Sequence, residues 1–212
     1  MHRLIQPSTA DNVVLETRVV QYRPIPEHRK SLCIPQIDEA DDHFGSWEGR
    51  QSCVLTSQLD AFILAGVLNP KEARQIQSAA RTNSRYVEQW ELGAGEGNFL
   101  GWSQNAAATR KLIQTVLGLS APMSESHGLA DIQSWLLEGC PVSLSGADHS
   151  VTVFQPAEKS GTLDIVVVNP LDCSSETVHA ENIIDLYDDS KPSYIVGRYA
   201  LHAASSRHHT LI

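Results

Sequence analysis

The stretch HSVTVFQPAEKSGTLDIVVVNP, His149 to Pro170, decides the fold. Two runs rich in β-branched residues, Ser150 to Gln155 and Leu163 to Val168, flank the loop Pro156-Ala157-Glu158-Lys159-Ser160-Gly161. Two such runs around a short loop with Pro and Gly form a β-hairpin. The unbroken Ile165-Val166-Val167-Val168 is a strand buried on both faces. His149 stands just before the first strand and Asn169 just after the second. If the chain turns between Glu158 and Lys159, antiparallel pairing sets His149 opposite about Val168. Asn169 then lies one residue along, while Asp164 falls opposite Val153, well down the strand. Asn169 rather than Asp164 is therefore the expected partner of the imidazole, since an Asn side-chain oxygen can accept the ring N–H and fix its tautomer.

Working outward, Pro141 to Leu144 reads as a further strand and Ser193 to Leu201 as a last one, with Ala180 to Tyr187 as a short helix. The first half is helical. Cys53 to Leu68 has Ser52 placed as a cap, with Leu55, Leu59, Phe62 and Ile63 at helical spacing. Asn69 and Pro70 open a second helix as N-cap and first residue, running to about Asn83. Asn105 to Leu117 ends at Gly118, and Leu129 to Glu138 ends at Gly139. Ile132, Trp135 and Leu136 share one face of the latter. Helices followed by an antiparallel sheet make an α+β fold. Residues 1–30, with Pro24 and Pro26, read as an N-terminal arm, and residues 31–212 as the domain. Asp38 to Arg50 reads as a surface loop. Gly93, Gly95 and Gly97 follow no apolar strand, so they carry no nucleotide motif.

Composition narrows the function. The 212 residues carry 16 Lys+Arg against 25 Asp+Glu, a net charge of −9. A surface of that sign does not attract phosphate backbones, so no nucleic-acid partner is expected. No run reaches the roughly 18 apolar residues of a membrane span. The absence of a visible secretory signal predicts a cytoplasmic protein. Cys33, Cys53, Cys140 and Cys173 form no C-x-x-C pair, which argues against structural zinc. Cys33, Cys140 and Cys173 are expected to be buried or incidental thiols, and Arg207-His208-His209 an idle tail.

Cys53 differs from the other cysteines by its place at the predicted start of a long helix. The unsatisfied N–H groups there would lower its pKa. With His149 and Asn169 it makes a Cys/His/Asn constellation of the kind used in acyl transfer.

The order of motifs resembles the C39-like branch of the papain-fold cysteine peptidases. Ile34-Pro35-Gln36-Ile37-Asp38, a loop, then Gln51-Ser52-Cys53-Val54-Leu55-Thr56-Ser57 resembles that family's opening. Leu137 to Gly146 looks like its helix, Gly-x-Pro-Val and strand step. His149-Ser150-Val151-Thr152-Val153 looks like its His-led strand, and Val167-Val168-Asn169-Pro170 like its strand end. The resemblance covers about residues 32–200. Val54 stands where the family has Gly, Asn169 where it has an acid, and Phe154-Gln155-Pro156 where it has Gly-Tyr-Asp. It implies a papain-like fold and a thiol hydrolase acting on peptide or amide bonds. Cys53 would be the nucleophile, His149 the base and Asn169 its orienter. The Cys53 N–H and the Gln36 side chain, with Gln51 as competitor, would stabilise the oxyanion. No metal or organic cofactor is implied, and the partner is a peptide or protein substrate. Two alternatives are a glutamine deamidase acting on a protein, and a degenerate papain-fold binding module.

Overall fold

A computed structural model describes residues 25–36, 47–82, 100–126, 129–145, 149–159, 162, 164–180, 194–197 and 202–203. Expectations for residues 1–24, the 38–46 loop, the Gly93–Gly97 loop, most of 180–187 and the tail lie outside them. The chain is α+β. Its helices are α1 (Trp47–Leu64), α2 (Pro70–Thr82), α3 (Leu100–Leu117) and α4 (Leu129–Leu137). Its strands are β1 (Leu119–Ser120), β2 (Ser124–Ser126), β3 (Val142–Ser145), β4 (Ser150–Phe154), β5 (Asp164–Val168), β6 (Ser175–His179), β7 (Tyr194–Gly197) and β8 (His202–Ala203). The main sheet has the order β2-β7-β3-β4-β5-β6, with every pairing antiparallel; β1 and β8 form a separate pair.

α1 is the axis of the molecule. Cys53 through Leu64 are buried without interruption, so the helix needs apolar cover on every side. On one side Ala73, Ile76 and Ala80 of α2 and Ala106, Leu112 and Ile113 of α3 supply it. The start of α2 follows from sequence. The Asn69 side-chain oxygen accepts the Glu72 N–H at 3.0 Å, and Glu72 accepts the Asn69 N–H at 3.0 Å, a reciprocal cap.

On its other side α1 lies along β4, and the pleat sorts the residues. Val151 and Val153 join Val142, Leu144, Ile165 and Val167 under Ile132, Trp135 and Leu136 of α4. Ser150, Thr152 and Phe154 point the other way, toward α1. The Thr152 hydroxyl donates to the Ser57 carbonyl at 2.9 Å, the Ser57 and Ser143 hydroxyls lie 2.7 Å apart, and Phe154 shares a core with Leu64. Four helix residues rise about 6 Å and two strand residues about 6.8 Å. Successive turns of α1 thus meet successive outward residues of β4.

Several expectations need correction. α1 begins at Trp47 rather than Cys53, so residues 47–50 are helical rather than loop, and Ser52 lies inside the helix. Val168 pairs with Thr152, three residues farther along than the expected His149. A single 3-10 turn, Ala157–Lys159, displaces the centre of the hairpin loop. Asp164 pairs with His179 on β6 rather than opposing Val153. Of the arm, Ile25 is buried and bridges Pro156, and a 3-10 helix, Glu27–Leu32, follows directly on Pro26. Its Arg29 donates to the Ile63 carbonyl at 3.0 Å, occupying one of the terminal acceptors of α1.

A carboxyl group is enclosed in this core. Asp60 on α1 is fully buried and accepts the Ile34 N–H at 2.8 Å. Burial pushes its pKa up to about 8, against the Ile34 hydrogen bond and the Arg74 charge, which pull it down. A carboxyl raised in the folded state gives its full contribution below the unfolded value of 3.8 and loses it as pH rises toward about 8. Asp60→Asn keeps an acceptor for Ile34 without the charge. Its Tm should match the native protein near pH 4 and exceed it increasingly toward pH 8, at about 2–4 °C per kcal/mol for a chain of this size. Thermal melts at both pH values check this; a constant difference would show that Asp60 does not titrate in this interval.

Candidate active site

The structure joins the two ends of the hairpin. His149 Nε2 lies 2.8 Å from Asn169 Oδ1. The observed register makes this contact possible. In the expected register Asn169 and His149 would have pointed to opposite faces. The three-residue shift places Asn169 beside Val151 in the extended ladder, diagonal to His149. Both residues lie just past the strand ends, half-buried at the rim of the sheet.

The amide orientation is fixed independently of the histidine. Asn169 Oδ1 also accepts the Leu171 N–H at 3.0 Å. A backbone N–H can only donate, so the atom facing both neighbours is the oxygen. His149 Nε2 must then carry the proton, which leaves Nδ1 with the lone pair in the neutral ring. The turn that holds Asn169 is itself tied down. The Asn169 N–H donates to Ser174 O and the Cys173 N–H to Asn169 O, both at 2.9 Å, with Cys173 at φ 58°.

Cys53 is buried in the second turn of α1. Burial pushes its pKa up to about 11, while hydrogen bonds from the Ser150 N–H, the Val54 N–H and the Ser150 hydroxyl to the sulfur pull it down. The expected lowering by a helix start is not present, because the positive end of α1 lies at Trp47 and such effects fade within a turn. For the same reason the Cys53 N–H belongs to the helical ladder and is not a spare oxyanion donor.

Gln36 reaches this region by three stitches. The Ile34 N–H bonds Asp60, and Gln77 Nε2 bridges the Pro35 carbonyl and Thr56 Oγ1, each at 3.0 Å. The segment thus climbs α1 toward Cys53. The Gln36 N–H then donates to the Pro170 carbonyl at 2.6 Å, next to Asn169. Gln36 is buried, and Gln51 lies in α1 with its side chain outside the described residues. Asp164 is remote from this cluster, in a 3.8 Å ion pair with Lys159; Asp148 is outside the described residues. Among the described residues, no group of three or more His, Cys, Asp or Glu could hold a metal ion, and no helix is long and apolar enough to cross a membrane.

No family model matches the chain, and no curated protein matches it. Among solved structures, the crystal structure of UfSP from C. elegans is similar at a TM-score of 0.39 and 15% identity. The likeness covers 87% of this chain and 37% of that one, so the chain spans little more than a third of that protein's length. A likeness of this size bears on no residue and no activity.

The hydrogen bonds around Asn169 predict one tautomer of His149. Imidazole nitrogen NMR of the native protein should show the Nε2–H form. Asn169→Ala should give a mixture, whereas Asp164→Ala should leave the form unchanged and alter stability by less than about 1 kcal/mol, as for an exposed ion pair. A tautomer that responds to Asp164 and not to Asn169 would contradict the geometry.

Proposed function

We propose that the chain is a papain-like thiol hydrolase acting on peptide or amide bonds through Cys53, His149 and Asn169. The observation that carries this reading is the His149–Asn169 hydrogen bond at 2.8 Å with its amide oriented by Leu171. It leaves Nδ1 as the basic atom of a ring that stands just before β4, the strand along which the Cys53 helix lies. The helices packed on an antiparallel sheet are compatible with a papain-like fold, and the motif order resembles the C39-like branch.

In this reading Cys53 Sγ attacks the carbonyl carbon and its proton passes to His149 Nδ1. The tetrahedral oxyanion takes a hydrogen bond from the Gln36 side chain. It collapses to a thioester as His149 protonates the leaving amine. Water then attacks the thioester, giving its proton to His149, and the acid leaves as sulfur recovers a proton. Asn169 holds the ring and stabilises the imidazolium without taking a proton. A peptide bond and a glutamine side-chain amide present the same carbonyl to this machinery, and the peptide is the preferred substrate class. No metal or organic cofactor enters the reaction.

One observation favours the rival, a papain-fold binding module without turnover: the Cys53 thiol is buried and its pKa is raised. Burial also raises the thiols of Cys33 and Cys173, so burial alone gives Cys53 no advantage. At neutral pH iodoacetamide should label Cys53 ahead of the other three cysteines, and His149→Ala should abolish that lead. Cys53→Ala should lower hydrolysis of a peptide library by about 10³-fold or more while the protein still folds. Equal labelling of all four cysteines, with no hydrolysis to lose, would leave the binding module.

A further inference from the structure

We infer that Cys33 and Cys173 form a redox clamp: oxidised to a disulfide, they tie the segment that carries Gln36 to the turn that carries Asn169. The Cys173 thiol donates to the Cys33 carbonyl at 3.5 Å. Both residues belong to one apolar cluster with Ile25, Leu64, Phe154, Val166 and Val168. A second contact fixes how the two segments lie, the Gln36 N–H donating to the Pro170 carbonyl at 2.6 Å. Going back from Gln36 to Cys33 covers as many residues as going on from Pro170 to Cys173. The segments therefore run past each other in opposite directions, and the two cysteines meet across the seam. A disulfide bridges Cα atoms about 4.4–6.8 Å apart, a reach that suits a pair in which one sulfur already touches the backbone of the other residue.

Cys173 is half-buried and Cys33 is buried, so Cys173 meets an oxidant first. Its thiolate attacks one sulfur of a small-molecule disulfide such as glutathione disulfide. That S–S bond breaks, and one glutathione leaves and takes up the proton that Cys173 gave. The Cys33 thiolate then attacks the Cys173 sulfur of the mixed disulfide, and the second glutathione leaves with the Cys33 proton. Both cysteines are oxidised, and the glutathione disulfide is reduced to its thiols. Burial keeps both cysteines protonated; the Asp60 charge adds to this, and Arg74 opposes it at Cys173. Thiolates are scarce at neutral pH, so the exchange is slow, and the pair answers a sustained oxidising poise rather than a brief one. The bond would close the turn on its open side. Within the turn the Cys173 N–H already holds the Asn169 carbonyl at 2.9 Å and the Leu171 N–H holds Asn169 Oδ1 at 3.0 Å. The clamp needs only this packing and does not require Cys53 to be a nucleophile.

The test equilibrates the full chain in glutathione buffers of rising oxidation, blocks the remaining thiols and maps disulfides by non-reducing peptide mass spectrometry. The native protein should yield the peptides of Cys33 and Cys173 linked to each other. Cys33→Ser should instead retain glutathione on Cys173, because the thiol that displaces it is gone. Hydrogen exchange reads the mechanical effect. The Leu171 and Cys173 amides of the oxidised chain should exchange at least about tenfold more slowly than those of the reduced chain. The native protein decides the matter by itself if the variant does not fold. No linked pair at any poise, whether both thiols stay free or glutathione remains on Cys173, overturns the clamp. So does a link from either cysteine to Cys53 or Cys140 in its place, or a linked pair whose turn exchanges at the reduced rate. Hydrolysis enters none of these readings, so a chain that proves inactive can still carry the clamp, and an active one can lack it.

Discussion

The seating of α1 on the hydroxyl face of the sheet is the constraint on which the rest depends. Thr152 reaches the Ser57 carbonyl and Ser143 the Ser57 hydroxyl, and Ser150 is buried in the same strand as Thr152. An apolar face would tolerate small shifts of a helix, because dispersion contacts are non-directional. Hydrogen bonds between buried groups are directional, and an unpaired group costs about 1–3 kcal/mol. The match between four helix residues and two strand residues repeats the contact from turn to turn, so one placement of α1 satisfies all of it.

The two halves of the site are held by different means. Cys53 is placed by a helix buried through Leu64. His149 is placed by the rim of the sheet and by an Asn whose amide is fixed by the backbone of its own turn. Gln36 is placed by a segment tied to Asp60 and Thr56 on one side and to Pro170 on the other. Asp60 is the costly part of this scheme, since its carboxyl is buried to hold one backbone N–H.

Much of the sheet was legible. The β-branched runs of β4 and β5 alternate or continue in ways that only strands explain, and the Asn69-Pro70 opening marks α2 through a cap that the structure contains. β6 was not legible. Ser175 to His179 is an exposed edge with little apolar content, and what makes it a strand is the hydrogen-bonding edge of β5 rather than its own pattern. The start of α1 was misplaced because Ser52 imitates a cap, while the turns before it, with Gly49, have weak helical character. The pairing of His149 with Asn169 was expected from a register that was three residues off. Both residues sit just past strand ends, where either register brings them close. The Thr152 contact with the Ser57 carbonyl lay beyond the sequence, because it depends on how a helix meets a strand 95 residues away.

Seating the sulfur on the core also has a consequence for motion. A site carried by surface loops can open and close while the remainder stays folded. Here Cys53 and the peptide of His149 belong to elements that share one buried interface. Local fluctuations can move the Asn169 turn or the rim, but separating α1 from β4 requires it to leave its hydroxyl partners. The amide protons of α1 beyond Cys53 and those of β4 are therefore expected to exchange as one cooperative unit. Any adaptation at this end of the fold then falls to the rim and to the Asn169 turn.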